Sequence, residues 1–239
     1  MQTSSIDFDG ISEAVREVCR FVRPTRLRPE AFFVARSGVL TLAFSGYTEA
    51  LIRLKAELEG AIPGIAAENP GSRWPKTTLA ALRDGENLDE DDVVRLREAT
   101  AEGTTCLYRR EEPFPVGLLS LVELRDRAME RVGRVESIRL VGPVDYSPVA
   151  PRSRASVNAV LSQWRREGLS RYVPDILRSG YRESHYRGAI EELSLVIHVG
   201  PAIPCVDVFR NAVESRMPGK YAWLSKTAYH VTVRNLVRI

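Results

Sequence analysis

Beginning after Gly38, Val39-Leu40-Thr41-Leu42-Ala43-Phe44 is a short, apolar and partly alternating run that meets the turn-prone Ser45-Gly46, a pattern that predicts a strand entering a turn. A helix is expected next. Thr48 suits its N-cap, Leu51, Leu54 and Leu58 recur on one face, and Glu49, Arg53 and Glu57 occupy another. Pro63-Gly64 and Pro70-Gly71 end that helix and lead into Trp74 to Leu82, which reads as a second strand. The same order of parts returns near the C-terminus. Leu193 to Val199 alternates and stops at Gly200-Pro201; Val206, Phe209, Val213 and Met217 then mark the buried stripe of a helix whose first turn suits Pro204. Pro218-Gly219 closes it, and Tyr229 to Leu236 has the period of two expected of a strand.

Lys76 follows Phe44 by 32 positions and His230 follows Val199 by 31. This spacing reads as an internal duplication and predicts two strand-helix-strand lobes about an approximate two-fold axis, although strand-helix-strand is a common unit and chance agreement stays open. Between the copies the pattern predicts a helix around Asp89 to Thr100, a second around Val116 to Arg131 and a strand around Val135 to Val141. From Pro143 to Gly180 the chain is rich in Pro, Ser and Arg, with one amphipathic helix marked by Val157, Val160, Leu161 and Trp164, and it ends in Tyr181 to Arg187. That stretch is expected to be a long connection covering a cleft. The expected organisation is one two-lobed α+β domain over 1–239, with N-lobe elements at 38–142, the connection at 143–189 and C-lobe elements at 190–239.

Composition narrows the class without naming a function. With 44% hydrophobic residues in 239, the chain is long enough to bury one large core or two small ones. The net charge is only +3, and of the 34 basic residues four are lysines: Lys55, Lys76, Lys220 and Lys226. Arginines thicken at Arg16 to Arg28 and Arg152 to Arg187, facing either a phosphate-bearing ligand or solvent and carboxylate partners. Cys19, Cys106 and Cys205 are few and widely separated, which indicates neither a disulfide framework nor a zinc site. Met1 to Cys19 is acidic where a secretory signal is apolar, and no run approaches the roughly 18 apolar residues that span a bilayer. A reducing cytoplasm and no membrane partner are expected.

Candidate chemistry lies in the last strand. Successive strand residues point to opposite faces, so His230, Thr232 and Arg234 are expected on one face and Val231 and Val233 on the other. Such a face reads a phosphate: Thr232 donates a hydrogen bond, Arg234 supplies charge and His230 moves a proton. The first copy repeats cation then hydroxyl, with Lys76 and Thr78 sharing a face. Paired about the axis, the two copies are expected to hold one phosphate from both sides.

These residues resemble the 2H phosphoesterase superfamily, the LigT-like, RNA 2′,3′-cyclic phosphodiesterase fold. His230-Val231-Thr232-Val233 fits the second of its two His-x-Thr/Ser-x motifs in full, and Lys76-Thr77-Thr78-Leu79 fits the first except at the histidine. The likeness extends over roughly residues 38–84 and 190–239. It implies two antiparallel sheets with flanking helices around a central cleft, one histidine as general base, the other as general acid, and the hydroxyls on the phosphate. An ordinary amine titrates near ~10.4 and holds its proton at neutral pH, so His230 is expected to be the base and Lys76 the electrostatic or acid partner.

Other candidates carry two readings each. His198 suits a core or lobe-interface histidine or a substitute for the missing one; His185 sits among Tyr181, Arg182, Tyr186 and Arg187, which stack on a base or form an ordinary surface loop. Trp74 and Tyr229 flank the two motifs as packing or as base platforms. No metal or cofactor is expected, since the histidines show no ligand spacing. The sequence supports a metal-independent phosphoesterase-like protein acting on a cyclic phosphate, nucleotide or RNA end. The rivals are a catalytically degenerate phosphate, nucleotide or RNA binder, an enzyme of another class reusing the cleft, and a plain interaction domain.

Overall fold

The computed structural model describes residues 6–110, 113–166, 169–179 and 181–238; Met1 to Ser5, at the acidic start, and Gly180, at the end of the Pro-rich stretch, lie outside them. Ten strands and seven α-helices alternate among the described residues, in a mixed α+β arrangement whose sheets are antiparallel throughout. The first copy folds as expected. Strand β3 (Leu40–Phe44) leads through Thr48 to helix α2 (Glu49–Ala61), and β4 (Lys76–Leu82) follows. Leu51, Leu54 and Leu58 are fully buried, so the 3.6-residue period fixes which face of α2 meets the core. The second copy runs through β8 (Ala189–His198), α7 (Cys205–Arg216) and β10 (His230–Arg238), with Phe209 and Val213 as the buried stripe.

Two four-stranded sheets are assembled across sequence distance. One takes β2 (Pro29–Val34), β3, β4 and β9 (Tyr221–Trp223) in that order; the other takes β10, β8, β6 (Leu118–Asp126) and β7 (Val132–Arg139). The division at residues 142 and 190 therefore does not follow the sheets: β6 and β7 come from the N-terminal part and β9 from the C-terminal part. A two-stranded ribbon of β1 (Thr25–Leu27) and β5 (Phe114–Val116) completes the pairing.

Three expectations fail here for physical reasons. Val116 to Arg131 is not a helix: Leu119 and Leu121 of β6 pack into the main core while Val122 and Leu124 pack on the opposite face with Val196, Met129 and Ala228. A strand covered on both faces loses its alternation and reads as a continuous apolar run. Second, the helix expected to stop at Thr100 continues as α3 (Glu90–Arg110). Asp89 and Asp92 cap its start reciprocally, and Gly103 is no breaker, because it lets Phe32 and Phe209 approach to where a Cβ at 103 would lie 2.8 and 2.9 Å from their atoms. Third, 143–189 holds three helices, α4 (Pro151–Arg166), α5 (Leu169–Ser179) and α6 (Glu183–Arg187). Tyr172 ties α5 to the first sheet by donating to the Val34 carbonyl at 2.8 Å.

Packing of α3 on α7 also overturns the cysteine expectation. It brings Cys106 and Cys205 within 5.7 Å at Cα as a disulfide, across a sequence separation of 99 that no spacing rule reveals; Cys19 is free and buried. No helix among the described residues is long and apolar enough to cross a membrane.

Candidate functional site

The two motif strands carry the same irregularity at the same place. In β4, Thr78 pairs with Thr41 and Ala80 with Leu40, leaving Leu79 as the extra residue; in β10, Thr232 pairs with Val196 and Arg234 with Leu195, leaving Val233 extra. Each bulge follows a basic side chain, a buried residue (Thr77 or Val231) and a threonine. A bulge shifts the inward-outward alternation by one residue, so the residues before it keep their face and those after it exchange faces.

Before the bulges, both strands deliver what their alternation predicts. Lys76, Thr78, His230 and Thr232 line one cavity of about 520 Å³ between the sheets. After the bulge in β10, Arg234 turns into the protein and Asn235 takes its place in the cavity wall. Arg234 is 1% exposed and donates to the carbonyls of Ala66 at 2.8 Å and Asn235 at 3.0 Å, with Glu59 as ion-pair partner. It holds the protein together and does not face the phosphate position assigned to it from strict alternation.

His230 is half-buried, and its Nδ1 lies 2.8 Å from the Ala228 carbonyl. A carbonyl only accepts, so Nδ1 carries the proton and the neutral ring presents the Nε2 lone pair. Burial is the main force lowering the imidazole below its ordinary value; the Ala228 carbonyl opposes it and the neighbouring His198 adds to it. Lys76 is also half-buried. Its Nζ donates to the Gly71 carbonyl and sits 4.6 Å from the centre of the Trp74 ring, two contacts that favour the ammonium, yet burial outweighs them and pushes the amine down to about 8. The pair is thus a neutral imidazole and a weakly held proton.

Of the other expected cleft residues, Trp74 and Tyr186 line the cavity. Arg187 does not; it pairs with Glu130 and Glu183 and donates to the Trp223 carbonyl. Tyr229 is 2% exposed and packs in the core, because it precedes His230 and so points the other way. His198 is exposed beside His230 and is absent from the cavity lining. Tyr181 and His185, by contrast, do line it, stacked with ring centres 4.1 Å apart, and Tyr186 meets His185 edge-on at 5.1 Å.

Sequence reasoning missed the far end of the cavity. Arg127, Glu192, Ser194 and Arg238 belong to it together with Asn235. Glu192 accepts from Asn235 at 2.9 Å and lies 3.7 and 3.9 Å from the guanidiniums of Arg238 and Arg127, so two cations share one carboxylate and the wall stays basic. Ser194 and Glu192 lie on one face of β8 by alternation, a signal present in the sequence; Arg127 follows a strand that the sequence presents as a helix and carried none. Among the described residues no group of three or more His, Cys, Asp or Glu is arranged to hold a metal ion. Compared with known proteins, the chain matches no family model, no curated protein and no solved structure.

Proposed function

We propose that this chain is a metal-independent phosphoesterase-like protein with the two-lobed 2H architecture, acting on a cyclic phosphate, nucleotide or RNA end. One observation carries the reading: a proton-carrying side chain, Lys76 or His230, and a threonine from each of two equally bulged strands open into the same cavity. Thr78 and Thr232 donate to the non-bridging oxygens, and the Lys76 ammonium offsets their charge. His230 Nε2 takes a proton from water as its oxygen attacks phosphorus. The bond from phosphorus to the leaving oxygen breaks, and that oxygen takes the proton of Lys76. Proton exchange with solvent then resets both groups. An amine titrating at about 8 is still mostly protonated at neutral pH and gives up its proton far more readily than an ordinary lysine. The stacked Tyr181-His185 wall suits a ligand bearing a planar ring.

A second reading is a binder that has lost turnover. Position 76 favours it, because the Trp74 ring and the Gly71 carbonyl both stabilise the form of Lys76 that keeps its proton. A turnover and binding screen of 2′,3′-cyclic nucleotides and other phosphodiesters separates the two readings. Turnover that falls about 10²–10⁴-fold in both Lys76→Ala and His230→Ala supports the enzyme. Binding without turnover, with turnover appearing in Lys76→His, supports the binder. Neither binding nor turnover by the wild type sinks both. The cytoplasm, proposed from composition, requires Cys106 and Cys205 as thiols there, because cytosolic reductants keep such pairs reduced; thiol counting on protein taken directly from cells tests it.

A further inference from the structure

Behind the cavity lies a buried charged cluster that the proposed chemistry does not use. Lys55 belongs to α2, whose adjacent Leu51, Leu54 and Leu58 are all core, and it is 7% exposed. A lysine in such a place loses hydration that an apolar residue of similar size never had, so the bonds its ammonium makes must offset that loss. Those bonds are specific. Nζ donates to the Ser72 carbonyl at 2.9 Å, pairs with Glu68 and lies 4.7 Å from the centre of the Tyr47 ring.

Ser72 closes the short turn Pro70–Ser72 just before β4. The same turn presents the Gly71 carbonyl that Lys76 Nζ grips, and a Cβ at position 71 would sit 3.0 Å from that nitrogen. Asn69 stiffens the turn from its other end, accepting from the Gly71 amide at 2.9 Å through its side chain and from the Ser72 hydroxyl at 2.9 Å through its carbonyl. Tyr47, fully buried, carries the brace to the other motif by donating to the Thr232 carbonyl at 2.8 Å.

We propose that Lys55 is a positioning residue for the candidate site: by holding the Ser72 carbonyl it fixes the turn that receives the Lys76 ammonium, and through the Tyr47 ring it ties that turn to the backbone of Thr232 in the other motif strand. This rests on the phosphoesterase reading for its purpose, but its physical content is the placement of Lys76 and is measured without any substrate. The chain has four lysines, so protein labelled with ¹³C at lysine Cε gives four resonances, assignable by single replacements with arginine. In the wild type the Lys76 signal is expected to titrate well below an ordinary amine. In Lys55→Met the freed turn lets water reach Lys76, and its midpoint rises by one pH unit or more, a tenfold change in the protonation equilibrium. Leu58→Ala, a core truncation of the same helix, destabilises the fold without touching the turn and is expected to leave that midpoint in place.

An unmoved Lys76 midpoint in folded Lys55→Met, or an equal rise in Leu58→Ala, overturns the proposal. If Lys55→Met does not fold, Lys55→Gln keeps a neutral donor of shorter reach, and the same two outcomes decide. Isothermal titration with a 2′,3′-cyclic nucleotide is run on the wild type in parallel. No binding there removes the phosphoesterase reading, while the lysine titrations still decide the brace.

Discussion

His198 stands directly opposite His230 in the antiparallel pairing of β8 and β10, exposed where its partner is half-buried in the cavity wall. Directly paired residues on adjacent strands have their Cβ atoms about 5 Å apart, close enough for one imidazolium to disfavour the other. His198→Gln removes that repulsion. The His230 ring is then expected to titrate at higher pH, checked by NMR of its ring proton, and any proton-transfer activity should lose its acid limb at correspondingly higher pH. A His230 titration that ignores His198 contradicts the pairing.

The pH dependence of turnover follows from the two shifted groups. His230 works only when neutral, and its value is lowered, so activity falls as pH drops through a point below about 6.5. Lys76 works only when protonated, and activity falls again as pH rises through about 8. The profile of kcat/KM should therefore be a bell whose alkaline limb lies at about 8 and whose acid limb lies below the usual histidine range. An alkaline limb near ~10.4 would mean that Lys76 is as well hydrated as a free amine.

Arg234 separates the sequence-based role from the structural one. Arg234→Met leaves the Ala66 and Asn235 carbonyls without their donor inside the protein, at a cost of about 2–4 kcal/mol in urea denaturation. Affinity of the folded variant for phosphodiesters should change little, because the bulge at Val233 turns this side chain away from the cavity. A phosphate ligand would behave in the opposite way, with stability kept and affinity lost.

Reduction of the Cys106–Cys205 bond should lower stability, since it releases a loop with a sequence separation of 99 in the unfolded chain. The expected loss is about 2–5 kcal/mol, read as a fall in Tm on adding a thiol reductant and reproduced by Cys106→Ser without it. Cys106→Ser that melts with the oxidised wild type would show that α3 and α7 pack equally well unlinked.

Much of the architecture was legible locally. The leucine stripe of α2, the Phe209-Val213 stripe of α7 and the alternation at His230 to Thr232 are set by neighbours within a few residues, where the periods of 3.6 and two apply. The strand β6 was not, because burial on both faces erased its period. The aromatic wall was legible only as a cluster, since nothing near Tyr181 to Tyr186 tells which surface it meets.

By itself, then, the chain determined two similar strand-helix-strand units, each ending in a basic residue and a threonine on one strand face, because those features depend on side-chain direction over three or four residues. Only the tertiary structure decided that the two faces share a cavity, that the bulge at Val233 exchanges Arg234 for Asn235, and that Lys76 is dry enough to titrate at about 8. It also decided that Cys106 meets Cys205. Register, desolvation and long-range proximity arise from segments far apart in the chain, and no local pattern encodes them.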